Sequence, residues 1–236
     1  PLSRPRRERR PLVKICGIAR EEDARFAARL GADVLGFVLA PSPRRARAGL
    51  LKALGRGTCL NPRGAEPLKV GVVADGRPAG AAKEVFGAGS PWLNPEAEKL
   101  LETGLLDAVQ LHGEESPEEC ASLPWPHYKA LRIGRMEDLD LASLYGGPRI
   151  LLDARVPGSL GGTGAAIPEP LVIEAKKRGP LWLAGGLGPR NVREAVRRFG
   201  PELIDASSLL EVSPGVKDPE KLALFFEEVD RGSHAQ

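Results

Sequence analysis

The chain has 236 residues, 42% hydrophobic and 28% charged, which suits one α/β barrel or two small domains with a sizeable core. No apolar run reaches the ~18 residues of a membrane span, which excludes a spanning helix. Net charge is only +3, and the opening PLSRPRRERR, with five arginines against Glu8, supplies more than all of it; the slightly acidic remainder makes no case for nucleic-acid binding.

That opening has the charge of a signal peptide but no apolar stretch behind it, so residues 1–11 read as a basic, disordered extension. Cysteines at 16, 59 and 120 are odd in number, lack CxxC spacing and meet only three histidines, which gives neither a disulfide framework nor a zinc site. A reducing, cytoplasmic setting fits.

Strands are predicted at LVKIC (12–16), DVLGFVL (33–39), LKVGVV (68–73), DAVQL (107–111), HYKALR (127–132), RILLD (149–153), PLWLA (180–184) and LIDAS (203–207). Most are followed by helical spacing. EEDARFAARLG closes on Gly31 as a C-cap, PRNVREAVRRFG opens on a proline, and DPEKLALFFEEV carries an aspartate cap. Residues 55–67 and 86–98 read as loop insertions, because glycine and proline interrupt any period there. Eight strands alternating with helices predict a single α/β domain, a (β/α)8 TIM barrel over residues 12–230 with a short tail at 231–236. An open doubly wound sheet shares the alternation, but the length suits the barrel, and no GxGxxG follows the first strand.

Successive strand residues face opposite sides, so parity sorts the chemistry. Lys14 and Cys16 share one face of the first strand, Gln110 and His112 one face of the fourth, and Asp205 and Ser207 one face of the eighth. Their apolar neighbours belong against the helices, so these polar residues point inward. Asp153, ending the sixth strand, joins them at the C-terminal end of the strands, where barrels build active sites.

VKICGI, GADVLGFVLAPSPRR, DAVQLHGEE, LLDA with GGTG, LAGGLGPRNV and DASSLLEVSPGVKD stand in an order and spacing that closely resemble phosphoribosylanthranilate isomerase of tryptophan biosynthesis, from about Leu12 to Val229. The resemblance implies an Amadori rearrangement with no cofactor and no metal. Its substrate, N-(5-phosphoribosyl)anthranilate, becomes 1-(2-carboxyphenylamino)-1-deoxyribulose 5-phosphate. Carried onto this sequence, it implies Cys16 as general base, Asp153 as general acid and Arg44 as the holder of the anthranilate carboxylate. It also implies a small phosphorylated molecule as the partner, no nucleic acid or membrane, and a monomer or homodimer.

These residue types suit the reaction. Ring opening needs a proton on the furanose oxygen, a task for a carboxyl group that still holds one, and the resulting imine acidifies the C2 proton. A thiol can remove that proton if it ionises more readily than a free thiol, whose pKa is about 8.5. Lys14 offers a nearby positive charge, or is spoken for in a buried ion pair with Asp205. His112 and Asp205 face the substrate; for the histidine a hydrogen-bonded structural role stays open.

Gly185-Gly186 after the seventh strand and Ser207-Ser208 after the eighth are the expected phosphate-binding positions, although a glycine pair is also an ordinary turn. GGTG (161–164) is a cover over the substrate or a direct ligand contact. Cys59 and Cys120 have no chemistry. Arg45 adjoins Arg44, and in this short loop the two can exchange roles. Leu209 stands where the family has glycine, which would strain any φ > 0, and AAIPE replaces a Phe-Asp-Trp segment. The rivals are a phosphosugar isomerase of histidine biosynthesis, which pairs two aspartates, and a non-catalytic barrel that binds a phosphorylated ligand or a partner.

Overall fold

A computed structural model describes residues 10–57, 59–74, 93–145, 149–154 and 166–234. Eight parallel strands close on themselves in sequence order: β1 (Leu12–Cys16), β2 (Val34–Val38), β3 (Leu68–Val73), β4 (Ala108–Leu111), β5 (His127–Ile133), β6 (Leu151–Ala154), β7 (Trp182–Leu183) and β8 (Leu203–Ala206). The predicted barrel is therefore the fold, and the open sheet is not. Closure is made by β8 against β1, with Lys14 in register with Asp205. Among the described residues no helix is long and apolar enough to cross a membrane.

Asp33 and Asp107, predicted to begin the second and fourth strands, sit one residue before them. Each turns its carboxylate back on the preceding strand, accepting from Val13 N at 2.9 Å and Lys69 N at 2.7 Å. β7 is shorter than predicted, although Ala184 N still donates to Leu152 O at 2.7 Å.

Parity holds around the ring. Val13, Ile15, Val109, Leu111, Ile204 and Ala206 face outward into the large core shared with the helices. Inside, a separate layer of Val34, Val70, Ala130, Leu151, Trp182 and Leu203 plugs the barrel, with Leu12, Ala108 and Tyr128 against it. Each valine, leucine or isoleucine among them contributes about 1.5–3 kcal/mol when fully buried, so the two layers fix the pleat, and with it the inward aim of the polar residues.

The helices are α1 (Glu21–Leu30), α2 (Ala48–Leu54), α3 (Pro95–Glu102), α4 (Pro117–Ser122), α5 (Met136–Ala142), α6 (Glu169–Arg178), α7 (Val192–Phe199) and α8 (Pro219–Ser233). α1 ends as predicted: Gly31 takes φ 103°, its N–H meets Ala28 O, and Ala32 N meets Ala27 O, a Schellman closure. Asp218 caps α8 by accepting from Glu220 N and Lys221 N. α7 departs from the prediction. Pro189 does not open it; Asn191 stands at its N-cap and spends its side chain on the preceding loop. In the second predicted insertion residues 95–98 belong to α3, because Asn94 caps that helix and Pro95 fits its first turn.

At the ends the fold takes in more than expected. Arg10 is docked: its Nε is 2.8 Å from Asp230 Oδ1, and its guanidinium carbon lies 5.3 Å from the Phe226 ring centroid. α8 runs to Ser233, so the tail expected from 231 begins as helix. The GGTG segment lies outside the described residues.

Candidate active site

At the C-terminal end of the barrel a cavity of about 170 Å³ is lined by Cys16, Arg44, His112, Asp153, Gly185, Gly186, Asp205, Ser207 and Ser208. These are all the site residues predicted from sequence, brought together from six different strand ends and loops.

Cys16 is the last residue of β1, and two glycines make its slot. Gly36, in register with it on β2, has no Cβ; one built there would lie 2.9 Å from Cys16 Sγ and 3.1 Å from Lys14 Cε. Gly17 has φ 74°, and a Cβ there would meet Ser207 Oγ at 2.9 Å and Arg44 Cδ at 3.0 Å. The turn after β1 thus lets the β8 loop and the arginine arm converge beside the thiol. Burial pushes the Cys16 thiol above its ordinary pKa, and the Lys14 charge opposes this without overcoming it. The lowered pKa expected from sequence is not found, because the slot that aims the sulfur also dehydrates it.

Lys14 Nζ lies 2.5 Å from Asp205 Oδ2, with the lysine wholly buried. Burial works against its charge, but Asp205, then Cys16 and Tyr128, hold its pKa above the ordinary value, so it stays an ammonium. Asp205 is both the partner of this pair and part of the cavity wall; its Oδ1 is buried with no hydrogen-bond partner among the described residues.

Asp153, on β6, is buried and accepts from Ala154 N through Oδ1 at 2.9 Å. Its Oδ2 is 3.3 Å from His112 Nε2, and His112 Nδ1 is 3.1 Å from Gln110 Nε2. His112 thus both faces the cavity and is held from behind.

The two arginines separate cleanly. Arg45 turns outward to Glu96 at 2.6 Å, whereas Arg44 lines the cavity. Glu211 accepts from Arg44 Nε at 3.0–3.1 Å, lies 2.9 Å from Nη2 and also receives Lys217 Nζ at 2.9 Å. A guanidinium has five N–H donors, so this grip on one edge leaves the Nη1/Nη2 edge for a second carboxylate.

Gly185 and Gly186 both adopt positive φ, 84° and 61°. Asn191 fixes the loop that follows, donating to Gly186 O at 2.7 Å and accepting from Gly188 N at 2.9 Å. Ser208 begins a 3-10 turn to Leu210 after the neighbouring β8, so the loops after β7 and β8 line the cavity side by side.

The family model described as N-(5'-phosphoribosyl)anthranilate isomerase matches residues 95–228. A relative of that name from Synechococcus sp. (strain JA-3-3Ab) is 39% identical over 228 residues, 94% of this chain and 92% of its own. The chain belongs to the N-(5'-phosphoribosyl)anthranilate isomerase family. The crystal structure of phosphoribosyl anthranilate isomerase from Thermotoga maritima superposes with a TM-score of 0.73 at 32% identity, covering 93% of this chain and 98% of that one. A phosphoribosyl anthranilate isomerase in complex with reduced 1-(o-carboxyphenylamino)-1-deoxyribulose 5-phosphate superposes with a TM-score of 0.69 at 31% identity, with the same coverage.

One departure from the family pattern leaves the backbone unstrained. Leu209 lies within the 3-10 turn, where φ is negative, so the feared strain at that position does not arise; its Cβ instead sits against Gly188, 2.9 Å from where a Cβ there would be. In the AAIPE segment Ile167 is buried in the outer core and Glu169 forms an exposed ion pair with Arg198.

Sequence reasoning missed Glu211, Lys217 and Tyr128. Strand parity from Ala130 would have placed Tyr128 inside. Glu211 and Lys217 belong to a small ribbon, β9 (Glu211–Ser213) with β10 (Val216–Lys217), turned by Pro214-Gly215; only the cross-strand pairing of the two buried charges reveals their role.

Proposed function

We propose that this cavity converts N-(5'-phosphoribosyl)anthranilate to 1-(2-carboxyphenylamino)-1-deoxyribulose 5-phosphate, with Asp153 as general acid and Cys16 as general base. The chain is an isomerase of tryptophan biosynthesis by family, and the observation that supports these roles is the meeting of thiol and carboxyl at one cavity from β1 and β6.

Asp153 gives its proton to the furanose ring oxygen as the C1–O bond breaks, the anilino nitrogen supplying the electron pair that forms the imine. Cys16, as thiolate, removes the C2 proton. The enolamine takes up a proton at C1 as its C2 hydroxyl gives one up, so the sequence is a net isomerisation. Lys14 favours the thiolate electrostatically. The free edge of Arg44 holds the anthranilate carboxylate, and the amides at Gly185, Gly186 and Ser208 hold the phosphate, with Ser207, His112 and Asp205 completing the wall.

The protein works on this small phosphorylated molecule in the cytoplasm, as a monomer or homodimer, with residues 12–230 as the catalytic unit. The reading is tested by adding phosphoribosylanthranilate and following loss of its anthranilate-type fluorescence. Turnover supports it; a protein that binds the reduced product analogue but never turns over substrate would be a ligand-binding barrel instead.

A further inference from the structure

From inside the barrel a line of polar side chains runs up to Asp153, two hydrogen bonds and then one close approach, and the roles above leave Tyr128 and Gln110 at its start unused. The Tyr128 hydroxyl donates to Gln110 Oε1 at 2.9 Å; Gln110 Nε2 lies 3.1 Å from His112 Nδ1; His112 Nε2 lies 3.3 Å from Asp153 Oδ2.

Valence fixes where the protons go. A carboxamide oxygen only accepts and its nitrogen only donates. Burial raises the Tyr128 pKa well above that of a free phenol, against the pull of Lys14, so the hydroxyl keeps its proton and needs an acceptor. With Gln110 Oε1 taken by that proton, the NH2 faces His112, and Nδ1 must be the acceptor. A neutral imidazole accepting at Nδ1 carries its hydrogen on Nε2. The reverse amide orientation would set NH2 against the phenol and leave its proton with no acceptor among the described hydrogen bonds.

We propose that Tyr128 and Gln110 are positioning residues that hold His112 as its Nε2–H tautomer, so that Asp153 faces a neutral N–H donor. The inference rests on Asp153 being the general acid. His112 Nε2 is buried and makes no hydrogen bond among the described residues, so its donor is unspent there. As Asp153 passes its proton to the furanose oxygen, the new carboxylate gains that donor. The other tautomer would present a lone pair and draw the Asp153 proton toward the imidazole, away from the ring oxygen.

Long-range proton–nitrogen spectra of protein carrying 15N-histidine test this, with the His112 signals assigned through His127→Gln and His234→Gln. The parent should show the Nε2–H pattern. Tyr128→Phe keeps the ring that meets Trp182 edge-on at 5.1 Å but removes the donor that orients Gln110. It should show mixed tautomers and lose about tenfold in kcat with KM changed less than about twofold, since Tyr128 acts through others. A parent with the Nδ1–H pattern overturns the inference, as does Tyr128→Phe with an unchanged tautomer or with mixed tautomers and full kcat. The parent spectrum needs no turnover. A protein with the expected tautomer whose Asp153→Asn variant stays active would refute the acid assignment instead.

Discussion

Arg44 faces the cavity with one edge already committed: Glu211 Oε2 sits 2.9 Å from Nη2 and 3.0 Å from Nε. The clamp is itself anchored, because Lys217 Nζ joins Glu211 to the Ser207 carbonyl, 3.2 Å away, and so ties the Arg44 arm to the β8 loop. Arg44→Lys cannot satisfy Glu211 and a second carboxylate with the same planar fork. It should weaken binding of the reduced product analogue by about thirtyfold, the worth of a charge-assisted hydrogen bond of about 2 kcal/mol. An analogue lacking the benzoate carboxylate should bind parent and variant alike in titration calorimetry; equal discrimination against both would place Arg44 elsewhere in recognition.

Lys14 and Asp205 form the barrel's central ion pair. Removing one partner leaves the other charged in a dry interior, so Asp205→Ala should lose about 3–5 kcal/mol of stability in urea unfolding, whereas Lys14→Met with Asp205→Leu should recover most of it. Loss of less than about 1 kcal/mol in the single variant would mean that water reaches the pair.

Cys16 should be slow to alkylate at neutral pH. Burial raises its thiol pKa, so the reactive thiolate appears only at higher pH, and the iodoacetamide rate followed by mass mapping should rise with a midpoint above the ~8.5 of a free thiol. The rising limb of kcat/KM should follow it. Cys59 and Cys120, both buried, should label far more slowly. A midpoint below about 8 would show that Lys14 outweighs burial at this site.

The barrel and the inward set of Lys14, Cys16, Gln110, His112, Asp153 and Asp205 were legible because a strand's period of two is local. The ordered motifs carried the rest of the site. What local pattern does not carry is competition between partners. Whether Lys14 or burial governs the Cys16 thiol depends on Gly36 of the next strand, and Arg44 is committed on one edge by a residue 167 positions away. Pro189 misled for the same reason: a good helix-opening residue by propensity, it yielded to Asn191, whose side chain satisfies both Gly186 and Gly188.

In the proposed reaction Asp153 delivers the proton that opens the furanose ring and Cys16 removes the one at C2. Stopped-flow fluorescence of phosphoribosylanthranilate conversion by the parent, Cys16→Ala and Asp153→Asn, with affinity for the reduced product analogue measured alongside, separates these roles from binding. Both variants should fold and bind the analogue close to parent affinity while kcat falls by about 10²–10⁴, the usual worth of general acid–base catalysis. Turnover within about tenfold of the parent in either variant would contradict the role assigned to that residue.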